Sequence, residues 1–394
     1  MRIDGLAFWR SLRGGFGVKI KIYEVIFRLD SPATVTSRRT MYGFLTFADH
    51  IPSSVLRGAL LSSLYWRGCI DESRMLRESN DPEIIVSPAY PYASGRFYPS
   101  HPFVAECKKC KALCNEDYLF SYLHDALQKI IVGDERLLSE AFRVKCSRDH
   151  LALKHIHPYP VGIINGRLKK HEEHVEYNVA VGISKHRGTS MRGMLYGYEV
   201  LASGQEFWMS VMAPEDIKFD EGFEFWIGRG KSRGFGRARL VSVNMVDLED
   251  RASELREEIK GEKSMIFYAN SPLAGCNGHE YTPYPEEIDL GELLVRFLDI
   301  KEPRAHLHIR RVIGKTASVW CGWDMRLNKP RPVIVASQQG SLVRAELEYD
   351  DAEEFSLALA LLEYAGTVED LLGSPVVGFN MLSPVKAHPV YSWG

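Results

Sequence analysis

Residues 228–240 read GRGKSRGFGRARL, and the placement of this stretch decides how the chain is understood. Gly228, Gly230, Gly234 and Gly236 are interleaved with Arg229, Lys231, Arg233, Arg237 and Arg239, with Ser232 and Phe235 between them and no acid in the segment. Glycine tolerates positive φ and lets the backbone approach a ligand, while successive N–H groups beside cations donate to phosphate oxygens. A polyanion is the natural partner. A P-loop would need glycine where Phe225 stands, and a dinucleotide fingerprint starting at Gly228 would need glycine where Arg233 stands, so both nucleotide motifs are excluded. The competing interpretation is a glycine-rich turn with solvated cations.

Outward from this loop, Arg239 to Val246 (RLVSVNMV) alternates in the β manner and Glu221 to Ile227 is expected as a short helix. Leu195 to Met212 predicts two strands turned as a hairpin at Ser203-Gly204-Gln205. Ala152 to Ile164, Val175 to Ser184 and Val18 to Leu29 predict further strands. Leu56, Leu60 and Leu64 recur at helical spacing within Ile51 to Arg67. The resulting order is β-α-β-β-α-β, elaborated by a polar insertion at about 87–150 that carries a helical pattern from Tyr118 to Val132.

The charged run from Asp247 to Lys263 shows no apolar stripe wide enough for a core and is expected as a linker. The division is then an N-terminal domain over 1–250, a linker over 251–264 and a C-terminal domain over 265–394. Met265 to Ala269, Leu307 to Val319 and Arg331 to Ala336 predict strands there, and Glu353 to Tyr364 predicts a helix, so the second half reads as a reduced copy of the first.

Composition sets broad limits. With 394 residues, 45% of them hydrophobic, the chain can bury more than one core. The net charge of −2 marks neither a basic nor an acidic protein, so any anion-binding function is local. No run of eighteen apolar residues occurs, and an odd count of seven cysteines argues against a secreted disulfide framework. A soluble protein of a reducing, cytoplasmic compartment is expected, with no membrane partner.

Cys107, Cys110 and Cys114 have the close spacing of thiolates converging on one tetrahedral ion, with Cys146 as the expected fourth ligand and His101 or His150 as substitutes. Structural zinc is the expected cofactor, because a long polar insertion gains stability when a metal closes it. Free thiols, with Lys108, Lys109 and Lys111 on a solvated face, are the alternative. His306 and His308, at i and i+2 on a strand, share a face with Arg310 and raise acid–base chemistry, although spacing supplies no carboxylate partner. Phe235 is the candidate for stacking a base, whereas Trp320 and Trp323 read as packing residues.

Three segments together carry a resemblance. GRGKSRGFGRARL resembles the C-terminal glycine-rich loop of the repeat-associated (RAMP) superfamily of CRISPR-associated proteins, and IPSSVLRGAL (Ile51 to Leu60) is similar to the helix start of type III members. SKHRGTSMRGMLYGYEVLASGQEFWMSV (Ser184 to Val211) resembles that superfamily's polar loop and hairpin. The resemblance implies an α+β fold of two ferredoxin-like (RRM-like) domains with insertions, and a role in binding CRISPR RNA within a multi-subunit effector. It puts Gly228 through Arg237 on the RNA handle, with Arg57, Lys185, His186, Arg187 and Arg192 as secondary contacts.

WCGWDMRLNKPRP (Trp320 to Pro332) followed by VIVASQQGSLVRAEL is similar to the Trp-turn and Gly-Ser strand of the subunit that caps the 5′ handle. Gln338 and Gln339 depart from the small and aromatic residues of that pattern. Implied partners are the guide RNA, the large subunit and backbone subunits, with target RNA met indirectly. A non-catalytic cap is expected. The alternatives are an endoribonuclease of the same superfamily that processes repeat RNA, and a guide-lining backbone subunit that cleaves target RNA.

Overall fold

The computed structural model describes residues 20–40, 43–47, 49–114, 136, 146, 148, 150, 153–165, 167–172, 174–277, 280–324, 328–370 and 375–388. The helix expected over 118–132 lies outside them. Over the described residues the chain is a mixed α/β structure with many strands and few helices.

Strand β1 (Ile20–Leu29) occupies the middle of the first sheet, its alternation burying one face along Tyr23 to Leu29 and the other only at Ile20 and Ile22. Tyr23, Val25, Phe27 and Leu29 pack against Leu56, Ala59, Leu60 and Leu64 of helix α1 (Ser53–Trp66), whereas Ile20 and Ile22 join the core of the second half. A short helix α2 (Glu72–Asn80) and strand β2 (Ile85–Val86) follow. A projecting hairpin is built from β3 (Val175–Ile183) and β4 (Ser190–Leu201). After them come β5 (Glu206–Pro214), β6 (Glu224–Trp226) and β7 (Arg237–Val246). The sheet order is β6-β7-β1-β5-β2, antiparallel throughout.

Two local expectations change here. Residues 224–226 form a strand rather than a helix, since Phe225 is fully buried between exposed Trp226 and half-exposed Glu224, a two-residue period. Ser203-Gly204-Gln205 does not close a hairpin: β4 pairs with β3, β5 pairs with β1, and the turn carries the chain from one sheet to another.

The stretch expected as a linker forms helix α3 (Leu248–Ile259), capped by Asp247, whose carboxylate accepts the N–H groups of Glu249 and Asp250. Its stripe is narrow but sufficient. Leu248, Ala252, Leu255 and Ile259 recur at helical spacing and are buried with Phe355, Leu359 and Leu362. Arg251 adds an ion pair to Glu363 at 2.9 Å.

The second sheet uses β8 (Ser264–Ala269), β9 (Glu287–Asp289), β10 (Ala305–Ile313), β11 (Leu342–Tyr349) and β12 (Leu382–Pro384), in the order β9-β10-β11-β8-β12. Helix α4 (Gly291–Leu298) lies between β8 and β10, and α5 (Ala352–Ala365) between β11 and β12. Strand, helix, two strands, helix and strand are therefore all present. The first half, rather than the second, has fewer of these elements, since no α-helix lies between β5 and β7.

Candidate nucleic-acid interface and metal cluster

The glycine loop leaves β6 and returns into β7 as a single tight turn. Gly230 and Gly234 bracket a 3-10 turn over Lys231–Arg233, both in the left-handed region at φ 84° and 83°. At Gly228 and Gly236 the requirement is steric. A Cβ on the first would overlap the Thr34 carbonyl oxygen, and one on the second the Ile227 carbonyl oxygen. Glycine here docks the loop onto its own sheet.

That docking uses most of the loop's backbone donors. The N–H of Arg229 goes to Thr34 O, of Arg233 and Phe235 to Gly230 O, of Gly234 to Lys231 O and of Gly236 to Pro32 O. The N–H of Arg237 goes to Ser31 Oγ. An anion at this loop is therefore met chiefly by side chains, not by the row of N–H groups expected from the glycine content.

The cations divide into two groups. Arg237 pairs with Glu224 at 2.5 Å and Arg239 with Asp30 at 3.3 Å, so their charge is offset within the chain. Lys231 and Arg233 stand exposed at the apex with Ser232. The Arg233 guanidinium donates to Tyr198 Oη at 2.8 Å and Tyr196 Oη at 3.0 Å, both neutral acceptors. Those bonds, Tyr196 first, hold its pKa above the ordinary arginine value. Arg233 is thus fixed in direction while keeping its charge.

Tyr196 and Tyr198 are site residues that the sequence reading missed. Their spacing within LYGYEV was the available signal, because i and i+2 on a strand share a face. Phe235 is half-buried, packing onto Gly230 and lying 6.2 Å from the Tyr198 ring, so it props the loop. Lys185, His186 and Arg187 are exposed at the tip of the β3–β4 hairpin. Along β4 six residues separate its start at Ser190 from Tyr196, roughly 20 Å at about 3.3 Å per strand residue, so the hairpin tip and the glycine loop are two separate contact points. Arg192 lies on β4 with its side chain outside those described.

Arg57 does not belong to this surface. It is 9% exposed, and its guanidinium donates to Ile84 O at 2.7 Å and to Glu78 O and Oε2, each at 2.8 Å. The cation at the helix start is explained by a buried carboxylate rather than by a docked anion. Trp320 and Trp323 also depart from expectation: they are 39% and 47% exposed, Trp320 on the two-stranded ribbon of Thr316–Trp320 and Val333–Ser337 and Trp323 on a second small ribbon with Lys329–Pro330, both outside the two main sheets.

The polar insertion brings Cys107, Cys110, Cys146 and His150 together, their ligand atoms all within 4.8 Å of one another. Cys107 Sγ lies 3.4 Å from His150 Nδ1, Cys110 Sγ 3.5 Å from Cys146 Sγ, and Cys146 Sγ 3.9 Å from His150 Nδ1. Ligands about 2.0 to 2.3 Å from one tetrahedral ion would be separated by roughly 3.3 to 3.8 Å, so the donor set fits a metal ion. Cys146 is pulled down to about 7, first by the N–H of Arg148, and Cys107 is lowered first by the N–H of Cys110.

Among the described residues, His150 is the fourth donor of this cluster. Cys114 lies on the strand Leu113–Cys114 with its side chain outside those described, and His101 accepts the Phe103 N–H at 3.1 Å away from the cluster. Chelation is expected to lower the melting temperature by several degrees and to open 107–150 to proteolysis, whereas an insertion indifferent to EDTA would reject a bound ion.

His306 and His308 share a face of β10, as their spacing required, but carboxylates flank them across the sheet. Glu287 lies 2.9 Å from His306 Nδ1 and 3.6 Å from His308 Nδ1, and Glu348 lies 2.8 Å from His308 Nε2. The partners absent from local spacing come from β9 and β11.

Neither a family model nor a curated protein matches the chain. Among solved structures it is similar to a chain of Type III-B Cmr-beta bound to cognate target RNA and AMPPnP, at 15% identity and TM-score 0.43, over 82% of this chain and 86% of that one. It is also similar to oligomeric Cmr4 from Pyrococcus furiosus, at 11% identity and TM-score 0.25 over 58% of this chain and 99% of that one. A variant of Cas6 is similar at 16% identity and TM-score 0.29, over 46% of this chain and 79% of that one. No helix among the described residues is long and apolar enough to cross a membrane.

Proposed function

We propose that this chain is a RAMP-superfamily subunit of a type III CRISPR effector, holding the 5′ handle of the guide RNA and bridging neighbouring subunits without catalysing a reaction. The observation that carries the proposal is the apex of the glycine loop, where Lys231 and a charged Arg233 braced by two tyrosine hydroxyls face outward. Such a group grips a sugar-phosphate backbone, and the nearby aromatic rings suit unstacked bases. Arg229 and the hairpin-tip residues Lys185, His186 and Arg187 extend the contact. Arg237 plays a lesser part because Glu224 offsets its charge.

Two ferredoxin-like domains, the first lacking one helix, accord with the two sheet orders. Zinc is the metal best suited to three thiolates and an imidazole, closing the insertion structurally. The large subunit and backbone subunits are the protein partners, and target RNA is met through guide pairing.

Replacing Lys231 and Arg233 by alanine is expected to weaken handle-RNA binding by one to two orders of magnitude near physiological salt. The slope of log affinity against log salt should fall by about 0.7 for each lost phosphate contact. Binding that keeps both its strength and its salt slope would reject the loop's role.

A second reading rests on the carboxylate-flanked histidines, which have the components of metal-independent RNA cleavage. Incubation with repeat RNA in EDTA separates the two: site-specific cleavage lost in His306→Ala favours the nuclease, and intact RNA favours the cap.

A further inference from the structure

Between the two sheets lies a cavity of about 360 Å³ that the RNA-binding reading does not use. Its walls are aromatic: Tyr90, Tyr98, Trp208 and Tyr364 all line it, with the Tyr98 and Trp208 rings 4.8 Å apart. Its charge is anionic. Glu24, Asp247, Asp250, Glu254 and Glu363 face it, against the guanidinium groups of Arg96 and Arg251.

Both guanidinium groups are already committed. Arg96 pairs with Glu24 at 2.6 Å, and Arg251 with Glu363 at 2.9 Å and Glu254 at 2.7 Å. Burial holds His388 down to about 3, so it adds no positive charge near neutral pH. Asp247 is engaged in capping α3. The Asp250 carboxylate at the mouth is exposed and has no partner among the described residues, nor has the hydroxyl of Tyr364, a residue only 9% exposed.

The rings already receive a cation, because the Arg96 guanidinium lies 5.0 Å from the Trp208 ring centre. A phosphate would meet the anionic mouth unfavourably, which separates this cavity from the RNA surface. From these features we infer that the cavity binds an organic cation, its ammonium or guanidinium group held by Asp250 and the Tyr364 hydroxyl and its alkyl stem laid on the aromatic walls. The volume suits a ligand of roughly ten heavy atoms, within the range of small-molecule sites.

This chemistry has two sources, a free polyamine and an arginine or lysine side chain of a partner protein. Calorimetry on RNA-free protein at fixed ionic strength distinguishes them with two probes, spermidine and Nα-acetyl-arginine amide. Saturable binding of spermidine at one site assigns the polyamine, and binding of the arginine amide alone assigns a partner's side chain. In either case Asp250→Lys should abolish binding, and Asp250→Asn, which keeps the shape, should weaken it about fivefold. No heat of binding from either probe, or equal binding by the folded Asp250→Asn protein, would overturn the inference. Handle-RNA affinity should be unchanged in both variants, so this outcome is independent of the glycine loop's.

Discussion

Arg57→Ala is expected to cost about 3–5 kcal/mol of stability in urea unfolding, the range for removing one partner of a buried ion pair. Glu78 is 2% exposed and would lose its guanidinium partner. The backbone N–H groups of Glu83 and Ile84, each 3.1 Å from Glu78 Oε2, and Arg74 at 3.6 Å compensate only in part. The double change Arg57→Met with Glu78→Met should recover much of the loss, because an apolar pair of similar volume leaves no buried charge. RNA affinity of the folded Arg57→Ala fraction should equal that of the parent. A variant that unfolds normally but binds RNA poorly would return Arg57 to the RNA surface.

Acid should destabilise the protein before its carboxylates titrate. Burial, first among the causes, holds His101 and His388 down to about 3 and His157 down to about 4. His157 Nδ1–H donates to Ser100 O at 2.6 Å and its Nε2 accepts the Lys315 N–H at 3.3 Å, so both ring nitrogens are engaged in the neutral form. The sign follows from the depressed folded values. The unfolded chain takes up protons as pH falls below about 6.5, while the folded chain does not until pH 4 or lower. The stabilisation is therefore complete above 6.5 and declines on acidification. Each histidine contributes a loss of about 2 kcal/mol between pH 6.5 and 5. A melting temperature flat across that window, or a slope unchanged in His157→Gln, would contradict this account.

Much of the fold was legible because local physics fixes local pattern. Two-residue alternation gave β1 and β7, and helical spacing gave α1 and α5, each within a few residues of its observed bounds. The same reasoning failed at α3, where four apolar residues among many charges sufficed because α5 offered a complementary groove. It failed again at Ser203-Gly204-Gln205, since a turn sequence specifies a change of direction but not which strand is paired afterwards.

The candidate site divides along the same line. By itself the sequence determined that a cation-rich, acid-free loop exists, that clustered cysteines suit a metal, and that His306 and His308 share a face, because composition and short-range spacing are local properties. Only the tertiary structure decided which charges remain available. Glu78 reached Arg57 from 21 residues away, Tyr196 and Tyr198 reached Arg233 from 37 and 35, and Glu224 and Asp30 offset Arg237 and Arg239. His150 likewise joined cysteines as far as 43 residues away. Coulombic and hydrogen-bonding partners are chosen by proximity in space, and the chain carries no periodic signature of that proximity until its sheets have paired.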